Sequence, residues 1–241
     1  RHLLIIVLTA ALLSVNWLIF IYAVISNNIV QASLGYFINP LVSVFLGMIF
    51  LGERLRPLQW LAVALAASGI CYQLVFYDRI PWIALSLAFS FGFYGLLRKN
   101  LNLPSATGLM LETLIVSPLA IAYLIYLYAS GQMIFGLMNP TTDLLLVAGG
   151  FVTSFPLLCF AAAVTRLSLT AVGMFQYIAP SLSLVLAVWV YHEPFGIDRI
   201  VTFSCIWLAL ILFTIETVHH HRRLARQLGE EALQPTEAKA E

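Results

Sequence analysis

The residues able to do chemistry in this sequence are few, and nearly all of them interrupt long apolar runs. Asn16, Asn39 and Gln176 bring amides, Tyr36, Tyr94 and Tyr177 bring phenol rings, and Trp17 and Ser90 add an indole and a hydroxyl. Polar groups in an apolar setting need hydrogen-bond partners, and aromatic rings can stack on an organic molecule. Such groups recognise and release a small molecule without making or breaking covalent bonds. These eight are the candidates for lining a substrate cavity. Gln31, Gly35, Asn39, Ser43 and Gly47 recur every four residues, as do Trp82, Ser86, Ser90 and Tyr94, so each series lies along one helix face. Gly173, Gln176, Tyr177, Pro180 and Ser183 form a third series, and Thr153, Ser154 and Pro156 a shorter group. For the Gly and Ser positions the competing reading is helix packing, because small residues let helices approach closely. Pro40 and Pro180 interrupt the backbone ladder and are candidate hinges.

Among the carboxylates, Glu112 alone lies well inside an apolar run. It could carry a coupling proton or pair with Arg98 or Lys99, and the pairing is preferred. Glu53 and Glu193 close two apolar segments; structural roles are expected, capping the next helix or holding Arg54 and Arg56. Glu216, near the last segment's end, is expected to be solvated at the interface. His219, His220 and His221 could bind a metal, but a solvated helix end near anionic lipid is preferred. No H-E-x-x-H, G-x-S-x-G or phosphate-binding glycine loop occurs, so no catalytic centre, metal site or cofactor is expected.

The elements that must position these residues follow from composition. The 241 residues are 61% hydrophobic and only 10% charged, with a mean hydropathy of +0.95. A soluble domain carries about a quarter charged residues, so the soluble classes are excluded. Charges, prolines and asparagines divide the chain into eight apolar segments, roughly 2–25, 29–52, 57–77, 80–97, 108–129, 142–164, 169–191 and 197–217. They approach the about 20 residues a spanning helix needs and lack the alternation of barrel strands. The expected fold is an all-α membrane protein, a polytopic transmembrane helix bundle. Cations gather in alternate connections, at Arg54 and Arg56, at Arg98 and Lys99, at Arg166, and at Arg222, Arg223 and Arg226, with Arg1 on the same side. The opposite connections hold Arg79 beside Asp78 and Arg199 beside Asp198. The positive-inside rule then places both termini in the cytoplasm. Cys71, Cys159 and Cys205 lie in apolar runs and are expected as buried free thiols.

An offset of 140 residues aligns Ile38, Pro40, Ser43, Leu46 and Glu53 with Ile178, Pro180, Ser183, Leu186 and Glu193. Segments one to three then correspond to six to eight. A period of five helices is odd, so the two halves are expected to be inverted in the membrane, a transporter signature. Segments four and five lack upstream counterparts, which predicts two further helices before Arg1. The expected organisation is residues 1–77 as the last three helices of a first repeat, 78–218 as a complete five-helix repeat, and 219–241 as a polar cytoplasmic tail, largely disordered.

The runs Asn16-Trp17-Leu18-Ile19-Phe20, Ala32-Ser33-Leu34-Gly35-Tyr36-Phe37-Ile38-Asn39-Pro40-Leu41 and Leu46-Gly47-Met48-Ile49-Phe50-Leu51-Gly52-Glu53-Arg54 resemble the EamA family of the drug/metabolite transporter superfamily. Leu85-Ser86-Leu87-Ala88-Phe89-Ser90-Phe91, Glu112-Thr113, Pro156-Leu157-Leu158-Cys159-Phe160 and Phe175-Gln176-Tyr177-Ile178 extend the similarity to the last helix. The resemblance implies eight helices of ten, in two inverted five-helix repeats. It also implies a central cavity lined by this chain's helices one, two, four, six and seven. The function implied is a permease of small organic metabolites or drugs, working by alternating access in a bacterial inner membrane. An intramembrane enzyme acting on lipid and a non-transporting scaffold are the alternatives. Expected partners are a small-molecule substrate and the lipid bilayer, with a homodimer left open and no nucleic acid.

Overall fold

Apolar backbone in a membrane has no water to satisfy its N–H and C=O groups, so it closes its hydrogen bonds within each segment as helix. The structure, a computed structural model, describes residues 2–75, 80–133, 135–136, 139–189 and 197–237. Nine helices and no strand occur among the described residues: α1 (His2–Ile25), α2 (Ile29–Leu51), α3 (Pro57–Val75), α4 (Trp82–Leu101), α5 (Ser105–Ala129), α6 (Pro140–Arg166), α7 (Leu169–Gln176), α8 (Ile178–Trp189) and α9 (Ile197–Glu237). Among the described residues six helices are long and apolar enough to cross a membrane, namely α1, α2, α3, α5, α6 and the Ile200–His220 part of α9. The chain is a helical membrane bundle. α4 is as long as α3, but Ser86, Ser90, Arg98 and Lys99 make it more polar.

Two elements differ from expectation. The seventh segment is two helices, α7 and α8, divided at Tyr177. Pro180 offers no N–H to the carbonyl of Gln176, and its ring crowds that oxygen, so the ladder opens one turn before the proline. Pro40 by contrast leaves α2 unbroken. The second difference is the tail, helical through Glu237 where the sequence suggests disorder. Arg, Leu, Ala, Gln and Glu in that stretch favour helix, and they extend a helix already nucleated. Arg1, Asp78, Arg79, His192 and Glu193 lie outside the described residues, as do the side chains of Asp198, Arg199 and His221.

The chain forms two compact units that interleave in sequence: Arg1–Glu53 with Pro81–Gln176, and Arg54–Ile80 with Tyr177–Glu241. In the first, α4 packs against α1, α2, α6 and α7. Glycines set the approach of these helices. A Cβ on Gly92 would lie 2.8 Å from Val42, one on Gly35 3.2 Å from the carbonyl oxygen of Ala84, and one on Gly173 2.8 Å from that of Pro40. Lipid offers no hydrophobic gain for helix association, so close contacts of this kind carry the packing. The outer faces stay apolar, as Leu144, Phe151, Val152 and Phe155 of α6 show by their exposure. In the second unit α3 packs on α9, where a Cβ on Gly69 would meet that of Cys205 at 2.9 Å. Thr202 Oγ1 donates to the Gly69 carbonyl at 3.2 Å, and Trp207 Nε1 donates to Ser181 Oγ at 2.9 Å. All three thiols are free; Cys71 and Cys159 are exposed on the helix surface rather than buried, and Cys205 is half-buried. An apolar run places a residue in the bilayer, and only packing decides whether it faces protein or lipid.

Candidate functional site

Asn39 of α2 and Gln176, the last residue of α7, meet inside the first unit. Asn39 Nδ2 donates to Gln176 Oε1 at 2.6 Å. Asn39 is buried, and its Oδ1 and the Nε2 of Gln176 are buried without a hydrogen-bond partner. Whichever amide donates, one oxygen and one NH2 group remain open. An unpaired buried polar group costs about 1–3 kcal/mol, and this pair leaves one acceptor and one donor unused. Backbone geometry sets the pair up. Gly173 lets α7 press onto α2 beside Pro40 and Ser43, and the break at Tyr177 leaves the Gln176 carbonyl outside the helical ladder.

A second polar cluster is charged. Arg98 near the end of α4 and Glu112 in α5 are 0% and 2% exposed, with Arg98 Nη1 4.0 Å from Glu112 Oε1. Tyr94, fully buried, donates to Glu112 Oε2 at 3.3 Å. Arg98 Nη2 donates to the carbonyls of Pro104 and Ser105 at 3.2 and 2.9 Å, closing the corner between α4 and α5. Gly108 makes the space, since a Cβ there would overlap the guanidinium at 1.5 Å. Glu112 is thus paired with Arg98, the preferred of its two readings, and Thr9 of α1 faces it as well.

The other candidates scatter. Asn16 donates to the Leu87 carbonyl at 3.0 Å and to Ser90 Oγ at 2.9 Å, so its amide joins α1 to α4. Trp17 and Tyr36 are 41% and 52% exposed, each edge-on to Phe20 with ring centroids 5.9 and 6.3 Å apart. Tyr177, in the second unit, is fully buried, and its hydroxyl has no hydrogen-bond partner among the described residues. Thr153 and Ser154 bond back to the carbonyls of Gly149 and Gly150 in their own helix. Among the described residues no group of three or more His, Cys, Asp and Glu could hold a metal ion.

Three charged residues take partners that the sequence does not reveal. Glu53 accepts the backbone N–H groups of Leu169 and Thr170 at 2.6 and 2.8 Å, capping α7 rather than α3 or the loop arginines. Lys99 donates to the carbonyls of Val164 and Leu167 at the end of α6. Glu216 is not solvated; it pairs with Arg56 at 2.6 Å with its side chain only 12% exposed. Glu216 is an acid one residue from the end of the last apolar run, which is the signal that could have found this pair.

The family model described as the EamA-like transporter family matches residues 1–74 and 80–215. An uncharacterized transporter of Vibrio cholerae is 52% identical over 220 residues, covering 90% of this chain and 73% of that protein. Protein RarD of Escherichia coli is 49% identical over 218 residues, covering 90% and 74%. At greater distance, the chloramphenicol-sensitive protein RarD of Pseudomonas aeruginosa is 32% identical over 91% of the chain and 73% of that protein. A solved protein structure aligns with a TM-score of 0.66 at 15% identity, over 86% of this chain and 76% of that one, which bears on the fold alone.

Proposed function

The chain belongs to the EamA-like transporter family, and on that premise we propose that it moves a small organic metabolite or drug across the bacterial inner membrane by alternating access. Both termini face the cytoplasm in this reading, as the distribution of cations favours. The observation that carries the proposal is the Asn39–Gln176 pair, whose open oxygen and NH2 group offer a buried substrate one acceptor and one donor. The break at Tyr177 supports a hinge, because there the chain passes from one compact unit to the other. Helix starts support the inverted repeat: Ile29 and Leu169, and Pro57 and Ile197, are each 140 positions apart. Tyr36 would supply aromatic surface to the substrate, and Glu112 would exchange a coupling proton when Arg98 moves away.

The test begins with metabolite profiling of cells with and without the protein. Accumulated or depleted compounds, and chloramphenicol as a first probe suggested by the name of the Pseudomonas relative, are then assayed for flux in proteoliposomes. Asn39→Ala and Gln176→Ala are each expected to reduce flux about tenfold, the factor for about 1.4 kcal/mol of lost interaction. Unchanged flux in both variants removes the amide pair from the pathway.

A further inference from the structure

A cavity of about 420 Å³ opens in the second unit where α9 leaves its apolar span. Glu216, His219, His220 and Arg223 line it from successive turns of α9, and Arg56 faces them from the start of α3. Steps of three, four and seven residues put the α9 side chains on one helix face. Leu58 and Ile215 give the cavity an apolar floor.

We propose that this cavity binds a phosphate group, the headgroup phosphodiester of an anionic phospholipid in the adjoining leaflet. Arg56 uses one nitrogen on Glu216, at 2.6 Å, and its side chain remains 39% exposed. A guanidinium carries five N–H donors, so most of its fork stays available to a second anion. Glu216 aims that fork while cancelling one of the two arginine charges. Arg223 has no ion-pair partner among the described residues, and the site keeps a formal excess of one positive charge. The imidazole of His219 adds a further N–H donor. The volume suits a headgroup, since sites for small molecules start at about 300 Å³. Position selects lipid over a soluble phosphate. The span ends at His220, so the cavity straddles the boundary where headgroups lie, with its apolar floor toward the acyl chains. Basic pockets between spanning helices bind anionic headgroups in just this setting.

Native mass spectrometry of the purified full chain, with phosphatidylglycerol or phosphatidylcholine in the micelle, tests the site. Retention of phosphatidylglycerol over phosphatidylcholine is expected. Arg223→Gln should lower that retention about fivefold, the effect of one cation beside an anionic headgroup, and Arg56→Gln at least as much. Arg222→Gln removes the same charge one residue away, outside the cavity, and should leave retention unchanged. Inorganic phosphate that binds and is lost in Arg223→Gln, without any lipid selectivity, would keep the phosphate site and make its source soluble. Equal losses in Arg222→Gln and Arg223→Gln, or no selectivity and no phosphate binding, would overturn the proposal. Because Arg223 is exposed and Arg222 matches it in charge, neither result can be a failure to fold.

Discussion

The carboxylate of Glu53 accepts the backbone N–H of Leu169 at 2.6 Å, across 116 residues of chain. It also takes the N–H of Thr170 at 2.8 Å, so one side chain satisfies two of the free donors at the start of α7 and meets the positive end of its dipole. Gly52 directs it there. With φ at +64° it ends α2 in the left-handed conformation, and its N–H and that of Glu53 turn back to the Gly47 carbonyl. Lys99 holds the carbonyl end of α6 at the same corner. The joint between α6 and α7 is therefore gripped from both sides by residues of α4 and the end of α2.

Glu53→Ala should lower the stability of the folded protein by about 1.5–3 kcal/mol, the range for a hydrogen bond to a charged group. Gly47→Ala should act through the same contact, since its Cβ would lie 2.8 Å from Glu53 Oε2. Unfolding of both single variants and the double variant in detergent measures the coupling. The double variant is expected to lose clearly less than the sum of the single losses, because residues sharing one contact are not additive. Additive losses would mean that Gly47 and Glu53 act separately.

The cap shows where the sequence stops being legible. Segment existence and length follow from hydropathy: six of the eight expected segments correspond to single helices within a few residues, and the last is the apolar first part of the longer α9. The pairing of Glu112 with Arg98 was also within reach, since both flank one short connection. Glu53 gives no such hint. A carboxylate at a helix end reads as a local cap, and nothing in its neighbourhood points to residue 169. Asn39 and Gln176 were both legible as buried amides, but not as partners, because a mutual contact across 137 residues depends on packing at Gly173. The break at Tyr177 was hidden for another reason: the run from 169 to 191 is apolar throughout, and apolarity fixes membrane location without fixing continuity. Pro40 and Pro180 occupy matching positions yet only one helix breaks, so proline alone does not decide it.

Removing Arg98 leaves Glu112 buried without its cation. Breaking a buried pair from one side costs about 3–5 kcal/mol, and Arg98→Met should do so. Arg98→Met combined with Glu112→Met removes both charges and should recover much of that loss. Gly108→Ala is predicted to resemble Arg98→Met, because the added Cβ overlaps the guanidinium. Thermal unfolding in detergent ranks the three. A double variant less stable than Arg98→Met would overturn this, showing that Glu112 stabilises the fold through other partners such as Tyr94.

Pro180→Ala restores an N–H one turn after the Gln176 carbonyl and removes the ring that crowds it. The seventh segment should then close into one helix through Tyr177. Amide hydrogen exchange at residues 176–181 is the direct measurement, and protection should rise there while α2 stays unchanged. Flux should fall if the break serves as the hinge. Increased protection with full flux would separate the break from transport.

The amide pair permits a sharper experiment than truncation to alanine. Asn39→Gln lengthens one side by a methylene and Gln176→Asn shortens the other by the same amount. Each single change spoils a 2.6 Å contact, pushing the amides together in one case and apart in the other, at a loss of about 1 kcal/mol. Together they restore the summed reach while moving the open oxygen and NH2 group toward α7. Stability should therefore recover in the double variant. Flux should not, because a bound molecule would meet its donor and acceptor displaced by about the length of one carbon–carbon bond, roughly 1.5 Å. Thermal unfolding and proteoliposome flux, measured on the same preparations, read the two roles separately. Recovery of both would make the pair a structural clasp between α2 and α7, whereas recovery of stability alone identifies it as the surface on which the substrate is held.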